Sequence, residues 1–422
     1  MKFKSIALCS LLFSSLVAFA QEENVDPVES LKQRVTLLED ANSVSKNLKI
    51  GGYIQADFNS TGPEGSLKVG SAANAAEAGK DYGRLGIRRG RLKASYDNNG
   101  CQAVFELDAT EKGVAIKDMY VSVLDPWTGY FSVRGGSFDR PFGYEVSYSS
   151  SRLESAERSR VIGQLFPNEK DLGGMLTIQA PKTSPLNVLK LDAGLFSGGG
   201  IGTTDTKSKK DFIGHFGYTN AFGKMKVGLG VSGYYGYILH TGSEYTLQNG
   251  AFAANTNAAA NTFSQRKYLG FDGQFSLSSG AGLTTLRAEW ISGVQPGTAA
   301  SGQSPDKAVT TTYTDTYIRN VQGGYVHLIQ DIADTKHTLA VKYDWYDPNT
   351  KLSGDQIGVG AKTGSADIAY RTLGFSYLYR MNSSVRLLAD YDYVINEESK
   401  NLNGYNRNRR DNVFTLRLQY KF

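Results

Sequence analysis

The side chains in this chain best suited to chemistry are cations set at alternate positions. Arg89, Arg91 and Lys93 stand two residues apart, so on a β-strand all three point to one face. Arg134, Arg140 and Arg158 follow further along. Guanidinium groups gathered on one surface recognise anions, because each offers a planar fork of donors that fits a phosphate or a carboxylate. Such recognition is electrostatic and breaks no bond. Groups that do break bonds are thinly spread. His215, His240, His327 and His337 are dispersed, and none falls in a metal-ligand spacing or a Cys/His cluster. A hydrolase needs a base beside its nucleophile; His215 and His327 read instead as wall or interfacial residues. The glycine run at 198–202 has no helix after it and does not read as a phosphate loop. The expectation is a protein that is not an enzyme and holds neither metal nor cofactor.

Something must hold these cations in place, and the last stretch, 411–422, shows what kind of element does so. Phe414, Leu416, Leu418, Tyr420 and Phe422 share one parity, and Thr415, Arg417, Gln419 and Lys421 the other. One face is apolar with aromatic ends and the other is polar and basic, as in an outer-membrane barrel strand. Sixteen alternating stretches of this kind are expected between 48 and 422, among them 83–97, 130–138, 173–180, 268–277, 283–291 and 320–330. No helix signal of any length is evident after Leu48. The breaks between stretches alternate between short turns, such as 98–100 and 220–224, and long loops, such as 197–210 and 238–267. That asymmetry is the layout of bacterial outer-membrane barrels, and sixteen strands enclose an aqueous lumen. The expected fold is therefore an all-β, antiparallel up-and-down transmembrane barrel spanning 48–422. Residues 251–262 are low-complexity loop from which no function can be read.

Two segments precede the barrel. Lys2 and Lys4, an apolar run from Ile6 to Val17, and Ala18-Phe19-Ala20 before Gln21 read as a secretory signal over 1–20. Its removal lowers the net charge from +5 to +3, too small an excess to point to nucleic acid. It also takes Cys9, leaving Cys101 as the one thiol and no intrachain disulfide. In 21–47, Val28, Leu31, Val35 and Leu38 keep heptad spacing, continued by Asn42 and Ser45. This segment reads either as a short periplasmic coiled coil or as a solvated amphipathic tether, and three heptads are too few to stand alone. No other stretch is apolar enough for a transmembrane helix. The 47 Gly, 25 Tyr and 20 Phe against 10 Pro suit a barrel with a polar interior and aromatic girdles.

The longest early break, 139–172, follows the fifth stretch and is the place to look for a constriction. It includes Asp139-Arg140-Pro141-Phe142-Gly143, Ser149-Ser150-Ser151, Glu157-Arg158-Ser159 and the segment from Pro167 to Gly173. Together with Ile87-Arg88-Arg89-Gly90-Arg91-Leu92, Lys117-Asp118-Met119-Tyr120-Val121 and Lys342-Tyr343-Asp344-Trp345-Tyr346-Asp347, these pieces resemble the phosphate-selective porin O and P family over roughly 48–422. The N-terminal heptad segment is similar to that of its Bacteroidota members. The resemblance implies a trimer of sixteen-stranded barrels in the Gram-negative outer membrane, with the third loop folded into the lumen and a basic eyelet selecting anions. By position, Arg88, Arg89 and Arg91 match the family's basic strand near the constriction, and Asp118 matches its wall acid. The family usually has lysine directly after Phe138; here Asp139 stands there, with Arg140 one place later. The C-terminal phenylalanine resembles the signal read by the barrel-assembly machinery.

The residue chemistry itself leaves selectivity open. Arg89, Arg91, Lys93 and Arg134 fall on lumen parity, but so do Glu106, Asp108, Glu289, Asp344, Asp390 and Asp392. Each arginine reads either as part of an anion-selecting region or as a structural partner that holds the loop to the wall. The expectations are accordingly a passive porin for small anionic or polar solutes, surrounded by outer-membrane lipid, or a non-selective general porin. A narrow barrel acting as an outer-membrane enzyme or scaffold is the alternative class. The selectivity region is expected at Arg88, Arg89, Arg91, Lys93, Asp118, Arg134, Arg140 and Arg158.

Overall fold

The computed structural model describes residues 31–32, 34–35, 46–65, 79–305 and 312–422. Within 21–47, Leu31, Lys32, Arg34 and Val35 are helical. Val28, Leu38, Asn42 and Ser45, and the signal segment 1–20, lie outside the described residues. No described helix is long and apolar enough to cross a membrane.

From Leu48 onward the chain forms one closed antiparallel barrel of sixteen strands. In chain order these are β1 Leu48–Thr61, β2 Tyr82–Asn98, β3 Cys101–Thr110, β4 Gly113–Leu124, β5 Phe131–Asp139, β6 Lys170–Gln179, β7 Leu189–Phe196 and β8 Asp211–Phe222. The second half comprises β9 Met225–His240, β10 Thr262–Ser279, β11 Gly282–Gly297, β12 Thr316–Asp331, β13 His337–Asp347, β14 Tyr370–Arg380, β15 Val385–Asn396 and β16 Val413–Lys421. Each strand pairs with its sequence neighbours. The barrel closes where β16 meets β1, in register from Tyr53↔Lys421 to Thr61↔Val413. Backbone hydrogen bonds of 3.0 Å in both directions between Gly52 and Phe422 lock the seam at the C-terminus. Closure leaves none of the sixteen described barrel strands with an unpaired edge, as hydrocarbon requires.

All sixteen expected stretches are strands, and several run longer than expected. The stretch expected at 268–277 begins at Thr262, and that at 283–291 continues to Gly297. These extensions stand on the long-loop side, where the alternation of side chains no longer separates lipid from lumen. The alternation itself holds where it matters. On β16, Leu416, Leu418 and Tyr420, with Phe422 just beyond its end, are exposed on the outside, while Thr415, Arg417 and Gln419 are buried inside. Leu339, Val341, Tyr343, Phe375, Tyr377, Tyr391 and Tyr393 continue the outer apolar belt around β13 to β15. In water such a belt would be costly; its natural solvent is lipid.

The expectation of no helix after Leu48 is corrected by α1, Arg160–Leu165, inside the third loop. Its six residues are too few to print a helical period, and tertiary packing of Val161, Ile162 and Leu165 sustains it. A hairpin of Glu244–Gln248 and Ala251–Ala254 likewise rises within the expected loop 238–267 and pairs in parallel with the start of β12.

Candidate functional site in the barrel lumen

Two backbone irregularities determine which charges face the lumen. On β2, Leu85 and Ile87 point outward, and so does Leu92, so the parity switches between 87 and 92. Gly90 donates its N–H to the Asp108 carboxylate (3.0 Å) rather than continuing a regular ladder. A Cβ at this position would run into the Ala109 carbonyl. The irregularity turns both Arg88 and Arg89 inward, where strict alternation admits only one of them. On the β3–β4 pair a register shift between Glu106 and Leu107 does the same for Lys117 and Asp118, which are both buried. Two consecutive charged pairs are thereby delivered to one quadrant of the wall.

The third loop, 140–169, folds into the lumen and is fastened around its circumference. Near its start Gly143, in the left-handed region at φ 59°, gives its N–H to Ser232 Oγ at 2.8 Å. The N–H groups of Tyr144 and Glu145 donate to Glu289 on β11 (3.3 and 3.1 Å). Phe142, Val146, Val161, Ile162, Leu165 and Phe166 pack with wall residues Tyr234, Tyr268, Ile291 and Tyr346 into an apolar core inside the barrel. The Ser-Ser run reaches the opposite wall. Tyr53 Oη lies 2.8 Å from Ser150 Oγ, and Gln419 Nε2 donates to the Ser151 carbonyl at 3.2 Å. The loop thus spans the lumen as a crossbar with an apolar end and a polar end.

The polar end centres on Glu157. Arg88 binds it through both oxygens at 2.6 and 2.7 Å. Arg89 reaches it at 3.3 Å and Arg417 at 3.2 Å. Arg417 also grips Asp57 with two bonds of 2.8 Å and the Ala156 carbonyl at 2.7 Å. Burial alone would raise the Glu157 pKa, but Arg88, Arg89 and Arg417 hold it well below the usual carboxylate range. Beside it, Lys342 donates to Ser155 Oγ (3.1 Å) and the Glu157 carbonyl (2.8 Å). Arg287 binds Glu154 at 2.7 and 3.2 Å and lies over the Tyr148 ring.

The expected site residues therefore divide. Arg88, Arg89, Arg91, Lys93 and Asp118 share one quadrant. Arg91 faces Glu106 at 3.3 Å and Asp108 at 3.6 Å, and Lys93 lies 3.9 Å from Asp118. Asp118 also accepts from Lys170 at 2.6 Å. Arg134 lies away from them, its guanidinium 4.4 Å from the Tyr120 ring centre, beside a cavity of about 330 Å³ with Lys190, Lys226 and His215. Arg140 is fully buried and donates to the Glu169 and Pro167 carbonyls (3.0 and 3.1 Å), stapling the two ends of the loop together. Arg158 serves the loop in the same way, through the Glu145 and Tyr148 carbonyls and Glu169 at 2.9 Å. For these two the structural-partner alternative matches the geometry, because a loop suspended in a lumen must satisfy its own carbonyls.

Sequence reasoning did not single out Glu157, Glu154, Arg287, Lys342 or Arg417 as fasteners. All but Arg417 carried no local signal as fasteners, since the partners across the lumen lie from 68 to 260 residues away. Arg417 stood on the inner parity of β16, and that was its one legible mark. Arg266 and Arg319 were also missed. Both are fully buried: Arg266 binds Asp211 and the Gly198 carbonyl, and Arg319 binds Asp367 at 2.9 Å, tying the long loops over the mouth.

No protein-family model and no curated protein sequence matches the chain. Solved structures do. The trimer form of OmpT, an outer membrane protein of Vibrio cholerae, superposes with a TM-score of 0.51 at 12% identity, covering 89% of this chain and 99% of that one. Salmonella typhi OmpF in complex with daunomycin gives 0.51 at 12% identity, covering 90% and 99%. The anion-selective porin from Comamonas acidovorans gives 0.50 at 12% identity, covering 89% and 99%. At this identity the likeness is one of fold.

Proposed function

We propose that the protein is an outer-membrane porin through which small hydrophilic solutes and ions diffuse passively. The observation that carries this reading is the closed sixteen-stranded barrel with a lipid-facing apolar belt, a charged interior and a third loop fastened across the lumen by Glu157. A crossbar of this kind narrows a wide barrel to the scale of small solutes, and fixed charges beside the passage set which ions concentrate there.

The ionic preference is for anions and is modest. Arg88, Arg89, Arg91, Lys93 and Arg134 are cations in the lumen, but Glu157, Glu106, Asp108 and Asp118 offset most of their field. Phosphate is the anion to try first, given the resemblance to the phosphate-selective porins and the fork geometry of paired arginines. The assembly is a homotrimer, in keeping with the trimer form of the OmpT structure. Secretion with cleavage after Ala20, a periplasmic heptad segment at 21–47, and delivery by the barrel-assembly machinery through the last strand, β16, complete the proposal.

The test is bilayer conductance under a KCl gradient, followed by titration with phosphate. A reversal potential on the anion side with block by phosphate supports the full reading. Conductance without either leaves a general porin, and folded protein that does not conduct overturns the pore.

A further inference from the structure

Beside Glu157 the loop and the wall line a cavity of about 240 Å³. Its lining carries charges of both signs, several of whose buried atoms have no hydrogen-bond partner in the protein. Arg160, the first residue of α1, stacks its guanidinium 4.0 Å from the Tyr370 ring centre, and its Nε and Nη2 have no hydrogen-bond partner. Asp344 on β13 and Asp392 on β15 are 3% and 8% exposed, and the Oδ1 atom of each is also without a partner. Lys342, the nearest lysine, lies 4.0 Å from Asp344, but its hydrogens go to the loop at Ser155 and Glu157. Asp390, on the same face of β15, is taken by the Ser376 hydroxyl. Thr372 and Thr415 add hydroxyls to the lining.

Buried charged atoms are costly unless something satisfies them, and in a water-filled lumen that something is solvent or solute. A simple anion entering this cavity gains Arg160 but meets two carboxylates. A simple cation gains the carboxylates but meets Arg160. A solute that carries both an ammonium and a carboxylate satisfies both sets at once. The volume corresponds to about eight waters at liquid density, room for a small amino acid together with several waters.

We propose that this cavity is a subsite for zwitterionic solutes of amino-acid size, with the ammonium on Asp344 and Asp392 and the carboxylate on Arg160. The inference rests on the porin reading and names a solute class for the same passage. Specificity comes from the pairing of opposite charges across the cavity, so it is compatible with a small net ionic preference.

The experiment is swelling of liposomes that hold the full mature protein, in isosmotic serine, erythritol, sodium lactate or ethanolammonium chloride. Serine is expected to enter severalfold faster than erythritol and faster than either singly charged solute. In Asp344→Asn/Asp392→Asn and in Arg160→Gln that advantage is expected to disappear while the erythritol rate stays unchanged. Heat-modifiable migration on gels checks that each variant is folded; should the double variant fail, Arg160→Gln and the wild-type solute series decide. Equal entry of serine and erythritol into wild-type liposomes, or a serine advantage that survives both variants, overturns the subsite. Entry of none of the solutes overturns the porin reading itself.

Discussion

Replacing Glu157 with glutamine removes one negative charge from among Arg88, Arg89 and Arg417 while keeping the shape of the side chain. Arg88 then loses a bidentate partner at 2.6 and 2.7 Å, and the lumen gains one net positive charge. Two unit charges 4 Å apart interact by about 4 kcal/mol at an effective dielectric of about 20, so an ion passing at about 8 Å feels about 2 kcal/mol. Screening at about 0.1 M salt, where the Debye length is about 10 Å, reduces this to about 1 kcal/mol. That enriches anions about fivefold at the crossbar and depletes cations by a similar factor. The assay is the reversal potential in a KCl gradient, which is expected to move toward the chloride equilibrium value. Glu157→Asp, which keeps the charge, is expected to stay near wild type. If the reversal potential of folded Glu157→Gln protein matches that of wild type, the three arginines do not face the ion path and the electrostatic reasoning is wrong.

Other expectations concern the same architecture. Arg287→Ala breaks the nearly buried pair with Glu154, a loss of about 3–5 kcal/mol for the fastening of the loop; channel recordings should show rapid current flicker that wild type lacks. Leu418→Arg places a charge on the lipid face of β16 and is expected to cost about 2–4 kcal/mol if it sits at the bilayer midplane, measured by urea titration of folding into vesicles. Glu157 and Glu169, both with pKa values below the ordinary range, contribute to anchoring fully above the unfolded carboxylate pKa; that contribution is lost as pH falls through the depressed folded values. Single-channel current should therefore be steady from neutral pH down to about pH 4.5 and become noisy only in stronger acid.

How legible this was in the sequence depends on the range of the interaction. The barrel was written locally: the parity of Phe414 to Phe422 on β16 and the alternation of short turns and long loops need no partner to be read. The inward pair Arg88-Arg89 was half legible. Strict alternation delivered Arg89, and only the irregularity at Gly90 brings Arg88 in beside it. The fastening of the third loop was hardly legible at all, because Glu154 and Arg287, or Glu157 and Arg417, meet across the lumen at separations no local pattern encodes. Arg140 and Arg158 illustrate the same limit. Their charge was visible, but the loop carbonyls that absorb it were not.

The measurement that bears most directly on the central claim is single-channel current from purified, folded protein in a planar bilayer. Discrete, reproducible conductance steps, with a reversal potential displaced slightly to the anion side, are the predicted result. Silent membranes in the presence of correctly folded protein would contradict it, and would leave a barrel whose crossbar seals it.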